Sequence, residues 1–329
     1  MASIAFPHNS KSLTLSTSHS YTYVFFPASK PSCPTILFLH GFPSSCYDWR
    51  HQIAYFARHG YGVLAPDLLG YGDTSKPSAT REYTCKNMAA EIVELLDHER
   101  LTQVHAVAHD IGCMLLSRLG NYFPNRLLTC AFLAVPYSKP GGHFDLDEVN
   151  KLTKQLLGFE KFGYLSFFVS DRAGILLDNH IDSFFTLFYP ANPELSIKHV
   201  GPSGAMEAWL QNDTQGPLAP YINEEERIIH REIMQGQYSS ALNWYRALVW
   251  NLNEEEELQA DLNPNLTVPV LMISPQPSPV ELPGIGEQMR CIADKVVVKE
   301  VSTTGHWMQL EAREEVNEIL AEFFDKCTP

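Results

Sequence analysis

Short apolar runs, each cut off by a polar or turn-forming residue, recur along this sequence with amphipathic helical stretches between them. Thr35–Leu39 ends in His40-Gly41-Phe42-Pro43, Gly62–Pro66 ends at Asp67, Val104–Ala108 is a third run, and Leu127–Val135 is stopped by Pro136. Strands without polar alternation are buried on both faces, and such strands spaced by helices form a mostly parallel sheet flanked by helices. Between them Met88, Ile92, Leu95 and Leu96 fall at i, i+4, i+7 and i+8, one face of a helix, and Leu115, Leu116 and Leu119 begin another.

After Pro136 the rhythm changes. Aromatic-rich helical stretches such as Tyr164–Val169 and Phe184–Tyr189 follow, with Pro and Gly between them. The α/β pattern returns at Val268–Ser274 and Val296–Val301, and Val316, Ile319, Leu320, Phe323 and Phe324 mark a closing helix. This order predicts an α/β core domain from residues 1–136 and 251–329, interrupted by an all-helical domain over residues 137–250. The Glu runs at 224–226 and 254–257 read as solvated helix faces.

Composition narrows the function classes. Of 329 residues 45% are apolar and 19% charged, enough for a sizeable core and against global disorder. Lys plus Arg number 24 against 38 Asp plus Glu, and a net charge of −14 repels phosphate backbones and anionic lipid. No apolar run reaches the roughly 18–20 residues that span a bilayer. The first thirty residues are Ser-, Thr- and Pro-rich without a secretory profile. Seven Cys with no CxxC read as reduced thiols and no zinc site. The expectation is a soluble, acidic, cytoplasmic protein in which the sequons at Asn212 and Asn265 are idle.

The chemistry centres on Val104-His-Ala-Val-Ala-His-Asp110-Ile-Gly112, which puts Asp110 at a tight strand-to-helix turn. Small residues stand two before it (Ala108) and two after it (Gly112), the arrangement of a nucleophile elbow. No Gly-x-Ser-x-Gly occurs in the chain. A carboxylate is a poor acyl-transfer nucleophile but can displace at an sp3 carbon to give an alkyl ester. The same Asp would also serve as a cap for the following helix, and the residues around it leave both readings open. His40-Gly-Phe-Pro43 ends the earlier strand at the height of the elbow, where the backbone N–H groups of Phe42 and Ile111 could form an oxyanion hole. His306, in Gly305-His-Trp307, follows the last strand in the place of a general base.

With these residues in view the chain resembles an epoxide hydrolase of the α/β-hydrolase fold, close to the soluble epoxide hydrolases. The resemblance runs from about Thr35 to Phe324. It rests on His40-Gly-Phe-Pro43, Tyr47-Asp-Trp-Arg-His-Gln-Ile53, Ala65-Pro-Asp-Leu-Leu-Gly-Tyr-Gly-Asp73, His109-Asp110 and Gly305-His-Trp307. In the insertion, Phe162-Gly-Tyr164 before Phe167-Phe168 and Leu242-Asn-Trp-Tyr245-Arg246 resemble the family's two cap-tyrosine segments.

The resemblance implies a sheet domain with an inserted helical cap, and a reaction in two halves. Asp110 attacks an epoxide carbon while Tyr164 and Tyr245 hold the leaving oxygen. His306 then activates water against the ester, the N–H groups of Phe42 and Ile111 hold the oxyanion, and a vicinal diol leaves. His40, Pro43, His109, Trp244 and Trp307 are expected to line the substrate site. Neither metal nor organic cofactor is implied. The partners are a small apolar epoxide and water, without nucleic acid or membrane insertion, in a monomer or homodimer.

Two departures qualify this reading. The family's third acid, which orients the base, falls on Ser278 here, and Glu281 is the nearest substitute. Ile111 stands where many relatives carry Trp, which argues against dehalogenation and leaves a wider pocket. The alternatives are a non-hydrolytic, epoxide-opening cyclase of the same fold and a low-activity, ligand-binding member that lacks the triad acid.

Overall fold

All six apolar runs become strands in the computed structural model, which describes residues 1–30, 32–277 and 284–328. The strands are β1 (Ser10–Thr14), β2 (Ser20–Phe26), β3 (Thr35–Leu39), β4 (Gly62–Pro66), β5 (Val104–His109), β6 (Leu127–Leu133), β7 (Val270–Pro275) and β8 (Val296–Val301). They form one sheet in the order β1-β2-β4-β3-β5-β6-β7-β8. β2 pairs antiparallel with both β1 and β4, while β3 to β8 pair parallel. The sequence reading assigns no strand to the first thirty residues, yet β1 and β2 lie there. Their Ser and Thr content hides a period-2 signal in which Tyr21 and Tyr23 are buried and donate to Glu91 and Glu99.

Successive residues of each central strand enter opposite layers, as the pleat requires. Ile36, Phe38, Val107 and Ala131 face Ile53 and Phe56 of the helix Arg50–His59 and Val316, Leu320 and Phe324 of the helix Arg313–Cys327. Leu37, Leu39, Ala106 and Ala108 face the helices Cys85–His98 and Gly112–Tyr122. Every position of β3 and β5 is buried, which explains their unbroken apolar character. Full burial of a Val, Leu, Ile or Phe side chain contributes about 1.5–3 kcal/mol, so these two layers dominate the stability of the sheet.

Parallel pairing also sets the site. Leu39 is level with Ala108, and His109 with Leu133, so β3, β5 and β6 end together along one edge of the sheet. In open parallel sheets that carboxyl edge is where functional loops gather. The turns after β3 and β5 and the loop after β8 bring Phe42, Asp110 and His306 there.

Between β6 and β7 the described elements are helices, with a single isolated bridge from Pro190 to Leu218. The insertion is held at both its face and its base. Trp244 Nε1 donates to Leu69 O at 2.8 Å, Ser240 Oγ to Gly70 O at 2.8 Å, and Thr80 Oγ1 to Asn243 Oδ1 at 3.0 Å. At the base Asn251 closes a two-way bridge, accepting from Phe144 N at 2.7 Å and donating to Phe144 O at 3.1 Å.

The structure corrects the reading of the Glu runs. Glu257 is 5% exposed and pairs with Arg118, itself 6% exposed, while accepting Gly141 N at 2.7 Å. Arg118 also donates to Ser138 O and Lys139 O. Glu226 is partly buried and pairs with Arg50. A run of like charges marks a helix but does not reveal that its last member meets a buried guanidinium 139 residues away.

Candidate active site

Asp110 has φ of +53°, in the left-handed region that costs a branched or carboxylate side chain conformational energy. The turn survives because its neighbours are small. A Cβ on Gly41 would overlap the Asp110 side chain, and one on Gly112 would strike the His40 carbonyl. The strained turn lifts the carboxylate out of the sheet, with Oδ1 accepting Phe42 N–H at 3.0 Å and Oδ2 standing 3.4 Å from His306 Nε2. Burial alone would push the Asp110 carboxyl up, but His306, His109 and the Phe42 N–H outweigh it and carry it down to about 2. At neutral pH this is an ionised carboxylate with one oxygen on a backbone donor and the other facing an imidazole.

Tyr164 and Tyr245 both lie near enough to feel its charge. Tyr164 opens the short helix Tyr164–Phe168, and Tyr245 lies on Asn243–Val249, the helix pinned by Trp244 and Asn243. Their rings flank Phe168, with centroids 5.0 and 5.1 Å from it, and Tyr245 is 5.3 Å from Phe42. Burial raises both phenols, and the Asp110 carboxylate raises them further. Both therefore stay protonated, as donors facing a fixed negative charge.

The other predicted residues occupy a shell around this centre. His40 is fully buried, its Nδ1 donates to Gly41 O at 2.8 Å and its Nε2 accepts Leu68 N–H at 3.0 Å. Burial lowers its pKa to about 4, so the neutral ring braces the turn that presents Phe42. His109, lowered to about 3 by burial and then by His306, donates from Nε2 to the His306 carbonyl at 2.9 Å. Trp307 Nε1 donates to Phe188 O at 2.8 Å and its ring stacks on Tyr189 at 4.6 Å. Pro43 is buried across a cis peptide from Phe42, and Ile111 is buried directly after Asp110. His40, His109, Trp244 and Trp307 thus spend polar atoms on backbone carbonyls and amides, which holds their rings in place around the centre. Ser278 and Glu281 lie outside the described residues.

Phe42, predicted for its N–H alone, also carries the central ring of an aromatic cluster beside Asp110. It touches Phe168 at 5.1 Å, Phe184 at 5.9 Å, Tyr238 at 6.0 Å and Phe188 at 6.1 Å. The aromatic-rich stretches of the insertion are the signal for this cluster, although nothing in one dimension says which rings converge. Among the described residues no group of three or more His, Cys, Asp and Glu is placed to hold a metal, and the seven cysteines are free thiols. No described helix is long and apolar enough to cross a membrane.

The arrangement can displace at carbon with a carboxylate, donate two hydrogen bonds to a leaving oxygen, and move a proton through an imidazole. Against known proteins, residues 34–313 match the family described as alpha/beta hydrolase fold. The chain is 28% identical over 295 residues to the Mus musculus protein named Bifunctional epoxide hydrolase 2, covering 88% of this chain and 51% of the mouse protein. It therefore spans about half the length of that relative. It is 28% identical over 316 residues to Epoxide hydrolase A of Mycobacterium tuberculosis, covering 90% of this chain and 92% of the relative. Among solved structures it is similar to Epoxide Hydrolase A from Mycobacterium thermoresistibile, with a TM-score of 0.78 at 24% identity, covering 95% of this chain and 97% of the other.

Proposed function

Because the chain belongs to the alpha/beta hydrolase fold family, we propose that it is an epoxide hydrolase turning an apolar epoxide into a vicinal diol through an ester on Asp110. The observation that carries this reading is one ionised carboxylate, set between a backbone N–H and an imidazole, under two protonated phenols. The names of the relatives point the same way.

In this reading Oδ2 of Asp110 attacks an epoxide carbon as the carbon–oxygen bond breaks. The departing oxygen takes a proton from Tyr164 or Tyr245, whose positions favour donation to developing charge. Oδ1 becomes the carbonyl oxygen of the ester and remains on the Phe42 N–H, with Ile111 N–H as the second donor of the hole. His306 then removes a proton from water, which adds to the carboxyl carbon. The tetrahedral intermediate collapses to restore the carboxylate and release the diol, whose new hydroxyl oxygen came from Asp110. The tyrosinate and imidazolium exchange the proton that closes the cycle. We further assign residues 1–136 and 251–329 to the core and 137–250 to a cap that supplies both phenols.

The test is a single turnover of an aryl epoxide in heavy-oxygen water, followed by mass analysis of diol and enzyme. Unlabelled diol with label in the peptide bearing Asp110 is the expected result. Label in the first-turnover diol, with none in that peptide, refutes the covalent route.

A further inference from the structure

We propose that Glu311 is a positioning residue for His306, fixing the loop that carries the base and tying that loop to the helical insertion. The inference rests on the roles given to Asp110 and His306 above. Trp307 N–H donates to Glu311 Oε1 at 2.9 Å, and the Thr303 hydroxyl donates to Oε2. Gly305 N–H in turn donates to Thr303 Oγ1 at 3.3 Å. A Cβ on Gly305 would overlap the Glu311 carboxylate, so this close approach is built into the sequence. From the insertion, Tyr221 OH reaches Oε1 at 3.4 Å. One carboxylate therefore takes donors from both ends of the segment 303–307 and from the insertion.

His306 sits between Gly305 and Trp307, two residues fixed in this way, and its carbonyl is held by His109 on the other side. Backbone bonds reach the segment between β8 and the helix Met308–Glu311 at Thr303, whose carbonyl accepts Gln276 N–H at 2.7 Å and whose N–H donates to Val301 O at 2.8 Å, whereas the N–H groups of Gly305 and Trp307 go to side chains. Bonds to an ionised acceptor are roughly twice as strong as neutral ones, which suits a single side chain to the task. The imidazole stands 3.4 Å from Asp110 Oδ2, and proton transfer is sensitive to position. A misplacement of about 1 Å costs on the order of 100-fold.

Only the second half-reaction uses His306, and this separates positioning from general damage. Rapid mixing with an aryl epoxide that leaves a mass adduct on His306→Ala follows adduct formation and decay in the parent, Glu311→Ala, Glu311→Gln and Thr303→Val. Glu311→Ala is expected to form the adduct within about twofold of the parental rate and to lose it about 10- to 100-fold more slowly. Glu311→Gln, which keeps an acceptor for Trp307 N–H, is expected to recover most of the decay rate. Should Glu311→Ala fail to fold, Thr303→Val is expected to slow decay severalfold with formation unchanged. Parental decay, or equal slowing of formation and decay, overturns the inference and leaves Asp110 as nucleophile. Absence of any adduct on His306→Ala across a panel of epoxides overturns the underlying reading and the inference with it.

Discussion

Replacing Glu257 by Ala leaves the Arg118 guanidinium buried beside an empty place and strips Gly141 N–H of its acceptor. Arg118 Nε–H loses its acceptor as well, while Nη1 and Nη2 keep the carbonyls of Ser138 and Lys139, which do not compensate its charge. Removing one partner of a buried ion pair costs about 3–5 kcal/mol. Unfolding entropy near 2.1 cal/mol/K per residue gives this 329-residue chain about 0.7 kcal/mol/K, so cooperative melting should fall by about 4–7 °C. Calorimetry or circular dichroism of Glu257→Ala beside Glu255→Ala provides the measurement, because Glu255 is an exposed neighbour in the same acidic run. Glu255→Ala should move the midpoint by less than 1 °C, roughly the effect of a change within ±0.5 kcal/mol. The double variant Arg118→Met with Glu257→Leu should recover most of the loss, since matched apolar replacements of buried pairs are often neutral. If Glu257→Ala melts with Glu255→Ala, the pair contributes nothing and the reasoning fails.

Three further outcomes follow from the same geometry. Tyr164→Phe and Tyr245→Phe should each slow adduct formation by about 10²- to 10⁴-fold, as loss of a general acid does, and the double variant should form none in rapid mixing. Because Asp110 is carried down to about 2 and the phenols are raised, adduct formation should be level from pH 4.5 to 8.5, and a decline already visible at pH 6 would contradict the assignment. Burial pushes Asp48 up to about 6, against the opposing pull of Arg50, and its Oδ2 has no hydrogen-bond partner among the described residues. A raised carboxyl favours the folded state in its protonated form, so that contribution is complete below about pH 4 and lost by about pH 6, worth about 3 kcal/mol. Asp48→Asn should then melt above the parent at pH 7.5 and near it at pH 4, and equal midpoints at pH 7.5 would refute this.

What the sequence disclosed was whatever local chemistry enforces. The burial of β3 and β5 on both faces left unbroken apolar runs, and the left-handed turn at Asp110 left small residues on either side. The Tyr pair was visible through the motif around Tyr245 rather than through tyrosine content. What stayed hidden depends on partners distant in the chain. Tyr21 and Tyr23 make strands of a Ser-rich start because Glu91 and Glu99 receive their hydroxyls, and Glu257 is buried because Arg118 waits for it. His40 and Trp307 carried the marks of a site, yet their ring nitrogens answer to backbone groups that no pattern of residue types announces.

The Asn251–Phe144 bridge has a consequence for how such proteins diversify. It brings the chain's departure from the sheet domain and its return within one amide's reach, so a foreign helical segment grafted in its place would have to match that narrow neck as well as the contacts on Leu69, Gly70 and Thr80. Such an exchange would carry off both phenols and leave the carboxylate and the imidazole behind. In the proposed reading the acid half of the chemistry and the nucleophilic half therefore lie on opposite sides of that neck.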